Sequence, residues 1–159
     1  MLPELIVFDL DLTLWDCGGS WCDCLTPPMR KRDGQVLDSN GSKITLYPDV
    51  PSIMQYCDEC KIPMALASRT QQPTWAADLL QLLDIDRRFR YSEIYPSSKL
   101  RHFAALTRES GVEYHKMLFF DDEHRNIDEV SRLGVTCTYV TSGLSRQVFE
   151  IGLEEFANG

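Results

Sequence analysis

Apolar residues fall in short runs separated by longer stretches where they recur every three or four positions, and this alternation continues from one end of the chain to the other. The runs Leu5 to Phe8, Ile62 to Ala67, Met117 to Phe120 and Val135 to Val140 are rich in aliphatic, aromatic and β-branched residues. Arg90 to Tyr95 is a weaker fifth. Each predicts a strand, and runs without polar alternation predict strands covered on both faces, as in a parallel sheet between helices. The intervening stretches have helical spacing. Ile53, Met54, Tyr56 and Cys57 follow an N-cap-like Asp49-Val50-Pro51, with Pro51 suited to a first turn. Trp75, Leu79, Leu80, Leu82 and Leu83 form a second stripe. Phe103, Ala104 and Leu106 form a third, stopped by Gly111, and Ile127, Val130 and Leu133 a fourth, stopped by Gly134. Gln147 to Ala157 predicts a last helix.

The resulting βαβαβαβαβα order points to an α/β fold, a three-layer doubly wound Rossmann-like parallel sheet. The 159 residues suit one domain spanning 1–159. One stretch breaks the rhythm. Asp16 to Tyr47 carries Gly18-Gly19, Pro27-Pro28, Asp33-Gly34 and Asn40-Gly41, and its Gln35-Val36-Leu37 and Lys43 to Leu46 segments can pair as a hairpin. An insert this long after the first strand, about 16–47, exceeds an ordinary connection. We expect a flap folded over the carboxyl edge of the sheet, where such folds bind ligands.

Composition narrows the partners. The apolar share is 43%, and 24 Asp and Glu outnumber 16 Lys and Arg, giving a formal net charge of -8. Clustered basic residues are what phosphate backbones and anionic membranes require, so neither nucleic acid nor a membrane is the expected partner. No apolar run approaches the ~18 residues of a membrane span. The opening Met-Leu-Pro-Glu-Leu-Ile-Val-Phe-Asp lacks a basic leader and turns acidic, so no signal peptide is expected and a cytoplasmic setting is.

Candidate chemistry collects at the strand ends. Asp9 and Asp11 close the first run at i and i+2, about 7 Å apart on one face of a strand, and a bend after Leu10 would aim both at one volume. Turn formers and helix caps give the same pattern. Asp121-Asp122 closes the Met117 run, where adjacent carboxylates repel unless exposed or neutralised by a cation. An oxygen-only set suits Mg²⁺, and a solvated turn is the bland alternative. The run also looks like a Walker B segment, but the chain has no Gly-x-x-x-x-Gly-Lys-Ser/Thr to accompany it. Ser68-Arg69-Thr70 offers hydroxyls and N–H groups just before a helix, where anions are favoured and where a simple cap would also fit. Lys99 opens a helix against the macrodipole, which an anion opposite would offset.

In order and spacing, Asp9-Leu10-Asp11-Leu12-Thr13, Ser68, Lys99 and Phe119-Phe120-Asp121-Asp122 resemble the four motifs of the haloacid dehalogenase superfamily. The longer matches Val7 to Trp15, Ala67-Ser68-Arg69-Thr70, Glu93 to Lys99 and Phe119 to Ile127 resemble its small magnesium-dependent phosphatases. The resemblance covers nearly the whole chain. It implies that Asp9 is a nucleophile, that Asp11 is the general acid and base, and that phosphate monoesters are hydrolysed through an aspartyl-phosphate. It further implies a phosphate site of Ser68, Lys99 and backbone N–H groups around Leu10 and Arg69. Mg²⁺ would be held by Asp9, the Asp11 carbonyl and Asp122, with Asp121 in support.

The short spacing between the motifs leaves no room for a cap domain, so only the flap would shape the pocket. Such an open site suits small-molecule or protein-borne phosphate monoesters, including phosphotyrosine and sugar phosphates. Arg69 and Trp21 are candidate substrate contacts. Two other functions stay open: a receiver-type phosphoacceptor, and a glyceryl-transferring member of the superfamily that would need a thiol in its site. Cys17, Cys22 and Cys24 crowd the flap and can bind zinc, form a disulfide or stay free. Cys57-x-x-Cys60 falls inside a predicted helix and Cys137 in an apolar run, which suits inert thiols.

Overall fold

Leu5 to Phe8 enters the core at once as β1 (Leu5–Phe8), all four residues buried. The computed structural model describes residues 1–159. After β1 the chain makes an excursion of short strands, β2 (Trp15–Cys17), β3 (Arg30–Arg32), β4 (Gln35–Leu37) and β5 (Lys43–Leu46). Helices and strands then alternate: α1 (Val50–Glu59), β6 (Met64–Ser68), α2 (Pro73–Leu82), β7 (Tyr91–Ile94), α3 (Lys99–Ser110), β8 (Met117–Asp121), α4 (His124–Ser131), β9 (Thr136–Tyr139) and α5 (Arg146–Asn158).

The main sheet has the order β7-β6-β1-β8-β9 and is parallel throughout. Consecutive strands build outward from β1 on one side, and the chain then returns to start again at β8 on the other. That reversal leaves a crevice at the carboxyl ends of β1 and β8, the usual ligand position in such sheets. Alternate residues feed two apolar layers. Ile6, Phe8, Leu66 and Phe120 pack toward α1, α2 and α5, whereas Val7, Ala67 and Phe119 face Phe103 of α3 and Val130 of α4. Phe120 lies stacked between Phe8 and Phe149, each 5.7 Å away between ring centres.

The excursion forms an antiparallel sheet of order β2-β5-β4-β3. The expected hairpin pairs Val36 with Ile44, while β2 and β3 extend it on either side. Neither flanking strand was expected, because Arg30-Lys31-Arg32 is wholly exposed and Trp15–Cys17 is only three residues long. Asp33 and Gly34 take φ of 52° and 77°, the paired positive values of a two-residue hairpin turn. Asp38 organises the next loop by accepting from the N–H groups of Thr26, Asn40 and Ser42. Cys17, Val36 and Ile44 join the same apolar layer as Leu79 of α2. Between β6 and β7 the chain holds only α2 and one 3₁₀ turn, Asp86–Arg88.

Three local expectations need correction. Asp49 does not cap α1 with its side chain; the carboxylate instead accepts the N–H of Arg146 at 2.9 Å, tying α1 to α5. On α3 Ala104 is exposed and Ala105 is buried, so the apolar stripe runs through His102, Phe103, Ala105 and Leu106. β6 begins at Met64 rather than Ile62, because Lys61 and Ile62 complete the end of α1. The Ile62 N–H bonds the Cys57 carbonyl and that of Lys61 bonds Asp58, the two reciprocal bonds of a Schellman motif. No helix is long and apolar enough to cross a membrane.

Candidate active site

The end of β1 is shaped by a tight reversal. The Leu10 carbonyl accepts from the N–H groups of Thr13 and Leu14 at 3.1 and 2.9 Å, and Leu12 adopts a left-handed φ of 61°. A non-glycine residue there is uncommon and points to a constrained turn. The turn leaves Asp9 against the central sheet, its N–H bonded to the Phe120 carbonyl at 3.1 Å. Asp121 closes the adjacent β8 and is fully buried, so it is not part of a solvated turn. Lys99 enters from α3 with no exposed surface. Its ammonium lies 3.1 Å from Asp9 Oδ1 and 3.1 Å from Asp121 Oδ2 and also donates to the Ala67 carbonyl. Thr13 Oγ1 donates to Asp9 Oδ2 at 3.3 Å. Asp121 additionally accepts from the Glu123 N–H at 2.8 Å and from Asn126 Nδ2 at 3.1 Å.

Asp9, Asp121 and Asp122 each bring a carboxylate oxygen within 4.8 Å of the others. Burial pushes the Asp9 carboxyl up to about 8; Lys99 pulls it down, but Asp122 and Asp11 add to the rise. Asp121 is raised to about 7, by burial first and Asp9 second, and Asp122 is raised chiefly by burial. For Lys99, burial opposes the charge, yet Asp9 and Asp121 outweigh it and hold the ammonium above its ordinary value. One fixed cation thus faces three carboxylates, and two negative charges remain uncompensated. The donors are all oxygen, and the deficit matches a divalent cation, so these residues fit Mg²⁺.

A cavity of about 280 Å³ opens beside this cluster, lined by Asp9, Asp11, Trp21, Ser68, Arg69 and Asp122 among others. A hollow of about 580 Å³ between β7 and α3 is larger, but its Glu93, Tyr95, Arg101 and Arg108 have no nucleophile beside convergent carboxylates. Chemistry selects the smaller cavity. On its wall Ser68 is buried, its Oγ accepting the Thr70 N–H at 3.3 Å, and Arg69 is steadied by Asn126 Oδ1 at 3.1 Å. The N–H groups of Leu10 and Arg69 have no acceptor within the protein.

Asp11 reaches the same cavity but not the same cluster. Its carboxylate turns toward the β2–β5 flap, where Oδ1 accepts from Trp15 Nε1 at 2.7 Å and from the Cys22 N–H at 2.9 Å. Burial raises the Asp11 carboxyl, and the Trp15 and Cys22 donors restrain the rise. Its side-chain oxygens group with Cys22 and Asp23 rather than with Asp9. The flap docks through Asp23, which accepts from Thr70 Oγ1 at 2.5 Å and from the Gln71 N–H at 3.0 Å.

Asp9, Asp122, Ser68 and Arg69 line this cavity, Lys99 joins Asp9 to Asp121, and Asp11 stands across the cavity with Trp21 52% exposed at its mouth. Trp15, Asp23 and Asn126 were not singled out from the sequence. Asn126 is 1% exposed and joins Asp121 to Arg69, and its only signal was its place five residues after Asp121. All six cysteines are free. Cys17 and Cys22 are buried, which raises both thiols strongly, whereas Cys24 is exposed, and the three sulfurs do not converge on one ligand group. Burial raises Cys57 and Cys137 to about 12, as expected of inert thiols.

The model of the family described as Acid Phosphatase matches residues 1–159. The chain is 46% identical over 158 residues to human Magnesium-dependent phosphatase 1, covering 98% of this chain and 88% of that protein. It is 40% identical over 147 residues to a HAD-like hydrolase superfamily protein of Schizosaccharomyces pombe, covering 84% and 83%. Among solved structures, a HAD-superfamily hydrolase from Ehrlichia chaffeensis superposes with a TM-score of 0.69 at 14% identity, over 99% of this chain and 97% of that one.

Proposed function

The chain belongs to the acid phosphatase family of haloacid dehalogenase-type hydrolases, and from that premise we propose how its own residues divide the work. The reaction is the magnesium-dependent hydrolysis of phosphate monoesters. The observation that carries the division of roles is the buried group of Asp9, Asp121, Asp122 and Lys99. Asp9 is the nucleophile. Asp9, the Asp11 carbonyl and Asp122 would hold Mg²⁺ with Asp121 in support, and the bound ion would keep Asp9 ionised and offset charge on the phosphoryl group.

Asp9 attacks phosphorus, a new carboxylate O–P bond forms, and the ester P–O bond breaks as Asp11 gives its proton to the departing oxygen. Asp11, now a carboxylate, then takes a proton from water. That water attacks phosphorus, the Asp9–phosphate bond breaks and inorganic phosphate leaves. Lys99, the Ser68 hydroxyl and the free N–H groups of Leu10 and Arg69 share the phosphoryl charge in both steps.

The same proposal takes the pocket as cap-less, walled by the 16–47 flap and one domain spanning 1–159. An open mouth carrying Trp21 and Arg69 suits esters that protrude, small-molecule or protein-borne, with phosphotyrosine and sugar phosphates as the leading classes. A cytoplasmic setting, where six thiols stay reduced, completes the reading. The test is a hydrolysis screen with and without Mg²⁺ across phosphotyrosine, sugar phosphates and nucleotides, with Asp9→Asn as control. Mg²⁺-dependent turnover lost in the variant is expected; turnover that survives in Asp9→Asn sinks the assignment.

A further inference from the structure

We infer that Asp23 is a positioning residue for Asp11, acting through the flap turn it anchors; the inference rests on the phosphatase reading above. Asp11 is the one acid of the site whose carboxylate is oriented from outside the parallel sheet. Its Oδ1 receives Trp15 Nε1 at 2.7 Å, the Cys22 N–H at 2.9 Å and a weak contact from Cys17 Sγ at 3.8 Å. All three donors lie on β2 or on the 3₁₀ turn that follows it. All of the hydrogen bonds to the Asp11 side chain go to Oδ1, and Asp11 lines the cavity. An oxygen that already accepts two good hydrogen bonds is a poor place for a proton, because protonation would set hydrogen against hydrogen. Oδ1 is thereby committed to the flap donors, and Oδ2 is the oxygen of Asp11 left free for the reaction.

That assignment holds only while the flap stays where it is. Trp15 and Cys22 are both fully buried, but Cys22 belongs to a 3₁₀ turn, Cys22–Cys24, whose other two residues are half-buried or exposed. Asp23 is what fastens this turn. Its two oxygens take Thr70 Oγ1 and the Gln71 N–H, both on the loop that also presents Ser68 and Arg69. Thr70 Oγ1 in turn lies 3.3 Å from Cys22 Sγ and accepts the Gln72 N–H at 3.1 Å, so the turn and the loop are bonded at several points. Asp23 thus couples the loop that binds phosphate to the group that orients the acid. Without it the turn is held only by the packing of Cys22 and its contact with Thr70, and the Asp11 carboxylate loses part of what fixes its direction.

Two esters with different leaving groups test this in the intact, Mg²⁺-loaded protein. p-Nitrophenolate departs with little need of a proton, whereas benzyl alkoxide needs one. With Asp23→Ala, kcat/KM for benzyl phosphate should fall about tenfold further than kcat/KM for p-nitrophenyl phosphate, part of the range open to acid–base catalysis. At saturation, kcat should fall by a similar factor on both esters, since opening of the aspartyl-phosphate also needs Asp11. Trp15→Phe should give the same pattern, and Asp23→Asn, which keeps one acceptor, should fall between Ala and wild type. Equal losses of kcat/KM on the two esters in Asp23→Ala, or no loss on either, overturn the inference. Wild-type protein inactive on both esters overturns the phosphatase reading, and the inference with it.

Discussion

Lys99 Nζ lies 3.1 Å from Asp9 Oδ1, and the lysine side chain is only 1% exposed. The ammonium is thus part of the core, and it shares its charge with Asp121 at the same distance. Replacing it with methionine keeps the length and the burial but leaves three carboxylates without a counter-charge. Removing one partner of a buried ion pair costs about 3–5 kcal/mol. The carboxylates can escape part of this by binding protons, so Lys99→Met should melt lower than wild type by more at pH 8 than at pH 5.5. Phosphatase activity should fall by at least about a hundredfold, as for loss of a group placed against developing charge. Thermal melts at the two pH values and initial rates check both halves.

Asp9→Asn has the opposite balance. Above pH 8, where the Asp9 carboxyl is ionised, the amide removes one charge from a repelling trio, while Lys99 keeps Asp121 as partner. Without divalent cation this variant should melt at or above the wild-type temperature, and its turnover should fall at least about a thousandfold, as for other lost nucleophiles. A melt well below wild type would mean that the Lys99–Asp9 contact outweighs the repulsion.

The pH dependence of the metal-free protein follows from the same cluster. Asp9 rises to about 8 and Asp121 to about 7, both first through burial, against an ordinary value of 3.8. Between 3.8 and these values the folded protein holds protons that the unfolded chain has lost, so stability falls as pH rises through that window. In chelator the melting temperature should therefore drop from pH 5 toward pH 8. Added Mg²⁺ should raise the melting temperature and flatten the slope, because a bound cation compensates the charges that protons compensate without it. A slope unchanged by Mg²⁺ would separate the cation site from these carboxylates.

The sequence makes the sheet legible because its strands are apolar on both faces, and it makes the candidate site legible because most of its residues sit at the strand ends. Asp9, Ser68 and Asp121 each directly follow an apolar run, where periodicity marks position well, and Lys99 opens the helix after β7. The flap is less legible for a physical reason. Its strands are three or four residues long, β3 is wholly charged and exposed, and its order comes from side-chain bonds such as Asp38 to Thr26, Asn40 and Ser42. The direction of the Asp11 carboxylate was hidden too, since Trp15 and Cys22 meet it only after the flap has folded back.

The end of α1 offers a stabilising change away from the site. Lys61 is exposed and holds φ of 58° at the C′ position of the Schellman motif, a left-handed conformation that glycine adopts without strain. Both backbone bonds of the motif survive substitution, and no ion pair involves Lys61. Lys61→Gly should stabilise by about 0.5–1 kcal/mol, net of the added freedom of the unfolded chain. That corresponds to roughly 1–4 °C in Tm for a chain of this size, at unchanged kcat/KM. A lower Tm would show that the lysine stem contributes packing that its exposure conceals.

Gly152 sets helix propensity against packing. It lies in the interior of α5, where alanine is intrinsically better by about 1 kcal/mol. A Cβ there would stand 2.6 Å from Phe120 Cζ and 3.1 Å from Thr138 Oγ1. The flexible tip of an exposed side chain would move aside, but Phe120 cannot. It is fully buried, with Phe8 and Phe149 stacked 5.7 Å away on either side. Either the ring tilts against Phe8 or α5 lifts from the sheet, and overpacking of this kind costs about 1–3 kcal/mol. The cost exceeds the gain, so Gly152→Ala should lower Tm by a few degrees although it improves the helix. Phe120 immediately precedes Asp121 on β8, so a strand shifted to make room would carry with it the acid bound to Lys99. Activity should therefore fall along with stability, whereas Lys61→Gly should leave activity alone. A Gly152→Ala protein with raised Tm and full activity would mean that α5 has room to move on the sheet, contrary to the close approach of its backbone to Phe120.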